Sequence, residues 1–308
     1  MDIVQPKQTT VQASSAAATR RLKELLKNVL LYVMLTIGVI IFIAPWVWMV
    51  SASFQPLGDI FDWPPTWYPE NFTWNNYTRF IQTAGLERLF ANSAYIAVTV
   101  TLLQLFFNSL AAFTFAKRKF PGRDFIFFMM LGTLMIPGQV TLIPAYLILQ
   151  HVPLFGGNNI AGLGGHGWLD SYWGMIVPGA VSTYGIFLLR QYMKSIPDEL
   201  LDAARIDGAN EFRIYAQIIL PLSGPALAAM GIFTFTYNWN DFFWPLIIIS
   251  SPELRTLQLG LALFVVKNRT VWDLVMAGSV IATLPVLIIF LLFQRYFIRG
   301  IALSGLKG

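Results

Sequence analysis

The chain has 308 residues, is 56% hydrophobic and 12% charged, and has a mean hydropathy of +0.60, whereas soluble domains carry about 25% charged residues; water is not its main solvent. It has no Cys, and its two His (His151, His166) are far apart, which excludes a disulfide framework, a thiolate metal site and a paired-His ligand motif. The net charge of +5 comes from basic residues clustered beside apolar segments, so topology explains it and no nucleic-acid partner is implied.

Residues 1–19 are rich in Ala, Ser, Thr and Gln, bring little to bury, and read as a disordered tail. Arg20 to Lys27 (RRLKELLK) is amphipathic; it either lies on the membrane surface or is a charged flank that orients the first span. Apolar segments follow at roughly 29–51, 89–116, 125–150, 172–189, 225–250 and 275–294. Each can cross a bilayer, which needs about 20 residues. The first ends in Ser51-Ala52-Ser53, but its apolar run exceeds the ~7–15 residues of a signal sequence, so it reads as an uncleaved anchor.

Sixteen of the 21 Lys and Arg fall in the N-terminal tail, the 117–124 and 190–224 connections and the C-terminus. The positive-inside rule then places both termini and these two connections in the cytoplasm. The opposite connections carry Trp63-Pro64-Pro65, Trp67 and Trp74 in 52–88 and a Gly-rich run in 151–171. They read as outer loops, the Gly-rich one flexible. No internal repeat is visible, and a secondary transporter built from inverted repeats would be expected to show one.

The connection at 193–224 reads as folded. Ser195 with Asp198 has the spacing of a capping box, Pro197 suits a first turn, and Leu200, Leu201, Ala203, Ala204 and Ile206 supply an apolar surface. Gly208 can take the left-handed conformation that ends a helix, Asn210 can cap a second, and Pro221 is expected to stop that one near Leu220. A helix–turn–helix outside the bilayer, without a core of its own, points to a partner protein.

Asp202-Ala203-Ala204, then Gly208, then Ile218 and Leu220-Pro221 resemble at matching spacing the EAA loop of ABC importer permeases, with Asp202 in place of the family's Glu. Ser53-Phe54, Phe120-Pro121-Gly122-Arg123, Asn238-Trp239-Asn240-Asp241 and Gln294-Arg295-Tyr296-Phe297 extend the likeness to maltose-type carbohydrate permeases over roughly residues 25–308. The resemblance implies an all-α membrane protein of six transmembrane helices. Its expected parts are a cytoplasmic tail over 1–28, a permease domain over 29–297 (core about 85–297, coupling loop 193–224) and a cytoplasmic tail over 298–308. It also implies a pore subunit that moves a carbohydrate and is not itself an enzyme. The expected partners are a second homologous permease, two cytoplasmic ATPase subunits, an external solute-binding protein and membrane lipid. No cofactor, metal or catalytic residue is expected.

Asp241 is the only charged residue in any proposed span. An intramembrane carboxylate is costly unless hydrated or paired. On one continuous helix it would lie roughly 24 Å from Pro225. With Asn238, Asn240 and the rings of Tyr237, Trp239 and Trp244 it offers groups suited to a sugar; the alternative is that these residues pack against the partner permease. Two glycine patterns mislead: Gly162 to Gly167 matches GxGxxG without a preceding strand, and Gly300 to Lys307 has Leu306 where a phosphate loop needs Lys. A self-contained secondary transporter would be expected to carry more intramembrane coupling groups and has no use for a docking loop. An intramembrane hydrolase would need a base or metal pair that no span supplies.

Overall fold

Two of the apolar segments are broken beside prolines, whereas Pro45 and Pro285 lie within uninterrupted helices. The computed structural model describes residues 9–64, 66–265 and 270–305, and side chains over 23–64, 66–265 and 270–294. Its helices, in chain order, are α1 (Thr9–Ala52), α2 (Asn75–Ala84), α3 (Leu86–Lys117), α4 (Arg123–Thr133), α5 (Gly138–Gln150), α6 (Tyr172–Ile176) and α7 (Thr183–Lys194). Then come α8 (Glu199–Ile206), α9 (Glu211–Ile214), a π-helical turn at Tyr215–Ile219, α10 (Leu220–Leu222), α11 (Gly224–Trp239), α12 (Phe243–Ile248), α13 (Leu257–Ala262) and α14 (Trp272–Gly305). No strand occurs among the described residues.

Four stretches, Lys23–Ala52, Leu86–Lys117, Tyr172–Lys194 and Trp272–Gln294, are long and apolar enough to cross a bilayer unaided. The expected span at 125–150 is instead the pair α4 and α5, bent by 99° at residues 134–137. Pro137 has no N–H for the ladder and pushes Ile136 away from helical geometry. The expected span at 225–250 is also broken. It runs as α11, stops at Trp239 and restarts as α12. Two local forces act there. The Asp241 carboxylate takes the Phe243 and Trp244 amides at 3.1 and 3.3 Å, competing with the helical ladder, and Pro245 would clash with the Asp241 carbonyl in a continuous helix. Asp241 therefore sits in a break, not part-way along a rod.

At the N-terminus the tail expected to be disordered is helical from Thr9 onward and continuous with the first span. Arg20 to Lys27 is thus the charged flank of one long helix. Between Lys23 and Ala52 the most apolar window of α1 has none of its residues buried, so this helix stands at the periphery of the subunit. The long α3 is central: α7 and α11 pack along it and α14 packs on α11. One apolar core joins α3, α4, α7, α8, α9 and α11 at the end that carries the 193–224 connection. A second joins α2, α3, α11, α13 and α14 towards the other end.

Between membrane helices, lipid removes most of the hydrophobic incentive to associate, so close packing and buried polar bonds hold them together. The Gln104 amide donates to the Gly179 carbonyl at 2.7 Å and takes the Thr234 hydroxyl at 3.2 Å. The fully buried Asn108 accepts the Ser182 amide at 3.1 Å. Ser109 and the Tyr215 hydroxyl lie 2.7 Å apart and couple α3 to the wide turn after α9.

Candidate functional site

The first site is the loop between α7 and α11. Ser195 does not cap α8 as its spacing predicts. Its hydroxyl turns back to the Tyr192 carbonyl at 2.7 Å and closes α7, and Asp198, at the start of α8, makes no side-chain cap. The Asp198 carboxylate faces Lys117 at 2.6 Å instead, an ionic hydrogen bond that outcompetes a neutral cap and holds its pKa below the usual carboxylate range. Gly208 has φ +79° and so takes the left-handed turn. Asn210 caps α9 by accepting the Arg213 amide at 2.8 Å. Pro221 does not end the second helix: the π turn at Tyr215–Ile219 lets it enter the first turn of α10, where an amide donor is not needed, and the chain bends by 77° at Ser223–Gly224.

Nor is the loop without a core. Leu201 and Ile214 are fully buried, and Ala204 and Leu220 pack against the same cluster. Ionic contacts add to this. Glu211 lies against Arg118, the residue after α3, and also takes Arg205 at 3.2 Å, while Arg205 reaches Asp202 at 2.7 Å. These bonds, that to Glu211 foremost, raise the Arg205 pKa. These linked pairs tie α8 and α9 to the end of α3. Among the exposed polar and charged residues an apolar group also faces outward: Leu200, Ile206 and Phe212 are 45%, 86% and 67% exposed, near the exposed Ala203 and Gly208. Of the loop residues expected to couple to a partner, Asp202, Ala203, Gly208 and Pro221 are exposed, and Ala204, Ile218 and Leu220 are half-buried.

The second site comprises two open cavities that share Tyr237 and Asn238. The larger, of about 700 Å³, lies among α3, α7 and α11 and is lined by Gln104, Tyr184, Thr234 and Thr236. The smaller, of about 440 Å³, lies between α5 and the α11–α12 break and is lined by Gln139, Thr141, Asp241, Phe243 and Trp244. The four residues expected along the path therefore separate. Asn238 and Asp241 line a cavity. Trp239 points the other way: it is 1% exposed, donates to the Ala282 carbonyl of α14 at 2.8 Å and stacks on Phe235 with centroids 5.7 Å apart. Asn240 faces α13, taking the Gln258 amide at 3.2 Å. Gln104, Gln139 and Tyr184 are additions; each is a polar group within an apolar run, a signal present in the sequence.

At the far end, the Gly-rich run is built rather than slack. Asn158 is buried, donates to the Gln150 and Val152 carbonyls at 2.8 and 3.0 Å and accepts the Gly165 amide at 2.8 Å. A Cβ on Gly165 would lie 2.0 Å from the Gly156 carbonyl oxygen, so the composition serves close backbone approach. Asp170 ties this loop to the residues after α12: burial acts to raise its pKa, but bonds from the Ser251 hydroxyl and the Ser251 and Ser250 amides outweigh that and hold it low.

A helical membrane protein with polar cavities beside a central helix and a folded loop that presents exposed apolar side chains has the form of a transport component, and comparison with known proteins gives its family. The family model described as the binding-protein-dependent transport system inner membrane component matches residues 104–303, and the chain belongs to that family. The arabinooligosaccharides transport system permease protein AraQ of Halalkalibacterium halodurans is 36% identical over 288 residues, 89% of this chain and 96% of its own length. The sn-glycerol-3-phosphate transport system permease protein UgpE of Pectobacterium atrosepticum is 32% identical over 279 residues, 88% of this chain and 94% of its own. A bacterial ABC transporter involved in import of the acidic polysaccharide alginate has a chain that superposes with TM-score 0.76 at 23% identity, covering 89% of this chain and 98% of that one; it shares the fold.

Proposed function

We propose that this chain is one half of the translocation pore of an ATP-driven importer that receives a carbohydrate from an external binding protein. The loop carries the reading. Its exposed apolar face at Leu200, Ile206 and Phe212 needs a groove to fill. Its fastening to α3 through Lys117 and Arg118 would let a push on that face move the helix that lines the larger cavity as a rigid body. In this reading Asp202, Ala203, Ala204, Gly208, Ile218, Leu220 and Pro221 form the joint with two cytoplasmic ATPase subunits, and a second, homologous permease completes the pore. The carbohydrate is supported by the cavity walls, where amides, hydroxyls and a carboxylate alternate with aromatic rings. A solved relative is described in complex with an alginate pentasaccharide-bound periplasmic protein, which supports an external carrier. The relatives' cargoes include both neutral and acidic compounds, so their names do not choose between these.

In proteoliposomes holding this chain with its partner permease and ATPase pair, sugar-loaded binding protein is expected to raise ATP hydrolysis severalfold and drive sugar uptake. Normal uptake without this chain would overturn the proposal. Orientation has its own test, because the chain lacks Cys. Ile160→Cys and Ile206→Cys replace residues that are 82% and 86% exposed. An impermeant maleimide added outside intact cells is expected to label the first and not the second; the reverse pattern would invert the topology.

A further inference from the structure

We propose that the path along α11 admits uncharged sugars and turns away acidic ones, and that Asp241 sets this preference; the inference rests on the carbohydrate reading above. Among the described residues the two cavities present one charged side chain, that of Asp241, and no Lys, Arg or His lines either wall. Its Oδ1 is held by the amides of Phe243 and Trp244, which aims the carboxylate from the α11–α12 break. Among the described residues it has no ion-pair partner and its Oδ2 makes no hydrogen bond. A neutral sugar has hydroxyls to donate to Oδ2 and C–H faces to lay on Tyr237 and Trp244, so it meets the carboxylate as an acceptor. A uronic acid or a sugar phosphate brings a second negative charge into a wall to which the described residues of this chain contribute no counter-ion. With protein walls on several sides, that repulsion is screened less than in open water.

The preference is read without the binding protein, which would impose its own. Purified importer (this chain, its partner permease and the ATPase pair) is probed by saturation-transfer NMR with arabinotriose, maltotriose and xylotriose as neutral probes and trigalacturonate as the acidic one. At least one neutral trisaccharide is expected to bind at least tenfold more tightly than trigalacturonate. Asp241→Asn is expected to bring the acid to within about threefold of the neutral sugar. Gln139→Lys alters an exposed residue in the same cavity and is expected to raise acid binding with Asp241 in place, so the test survives if the first variant fails to fold. Equal binding of acidic and neutral probes by the unaltered importer, or continued exclusion of the acid by the folded variants, would overturn the inference alone. Failure of every neutral probe to bind would overturn the carbohydrate reading itself.

Discussion

Replacing Gly208 is expected to cut solute-stimulated ATP hydrolysis about tenfold while leaving the subunit in the membrane. The residue holds φ +79° and a Cβ there would meet no atom within 4 Å, so the penalty comes from backbone conformation rather than crowding. A left-handed L-residue costs roughly 1–2 kcal/mol, and 1.4 kcal/mol is a factor of ten in the population of the native turn. Two substitutions separate the causes. Asn visits this region more readily than Ala, so Gly208→Asn is expected to retain more coupling than Gly208→Ala if turn geometry matters. A partner pressed against this exposed spot would reverse that order, because Asn is the larger. Full coupling and full ATPase co-purification in both would show that the loop is not the joint.

Trp239→Ala is expected to cost about 3–5 kcal/mol of stability, the range for truncating a large buried aromatic. The indole is 1% exposed, its N–H is spent on Ala282, and its ring sits between Phe235 and the edge of Phe90, 5.7 and 5.2 Å away. Trp239→Phe keeps most of the stacking and loses the hydrogen bond, so its cost should be near 1–2 kcal/mol. The check is the thermal midpoint of the purified importer together with uptake kinetics. Unchanged melting with altered sugar affinity would put Trp239 on the path after all.

Much of this was legible in the residues themselves. The apolar segments are a matter of composition and length, because a bilayer demands about 20 uncharged residues whatever they pack against. The loop's turn was equally readable: Gly208 and Asn210 act through their own backbone and the residues beside them, so no distant contact had to be known. Local spacing misleads where a long-range competitor exists. Ser195 and Asp198 have the spacing of a cap, but Lys117, 81 residues earlier in the chain, claims the carboxylate.

Tertiary structure alone decided which face each residue shows. Asn238 and Trp239 are neighbours in sequence, yet about 100° apart around a helix, and the packing of α14 on α11 turns the indole into the core and leaves the amide facing the cavities. The same holds for the loop. Its buried anchors Leu201 and Ile214 and its exposed Ile206 and Phe212 are all simply apolar in the sequence, and only the ends of α3, α4 and α7 beneath them determine which are covered. Composition says that a segment belongs in lipid, since that depends on each side chain's transfer free energy; orientation depends on neighbours supplied by remote parts of the chain.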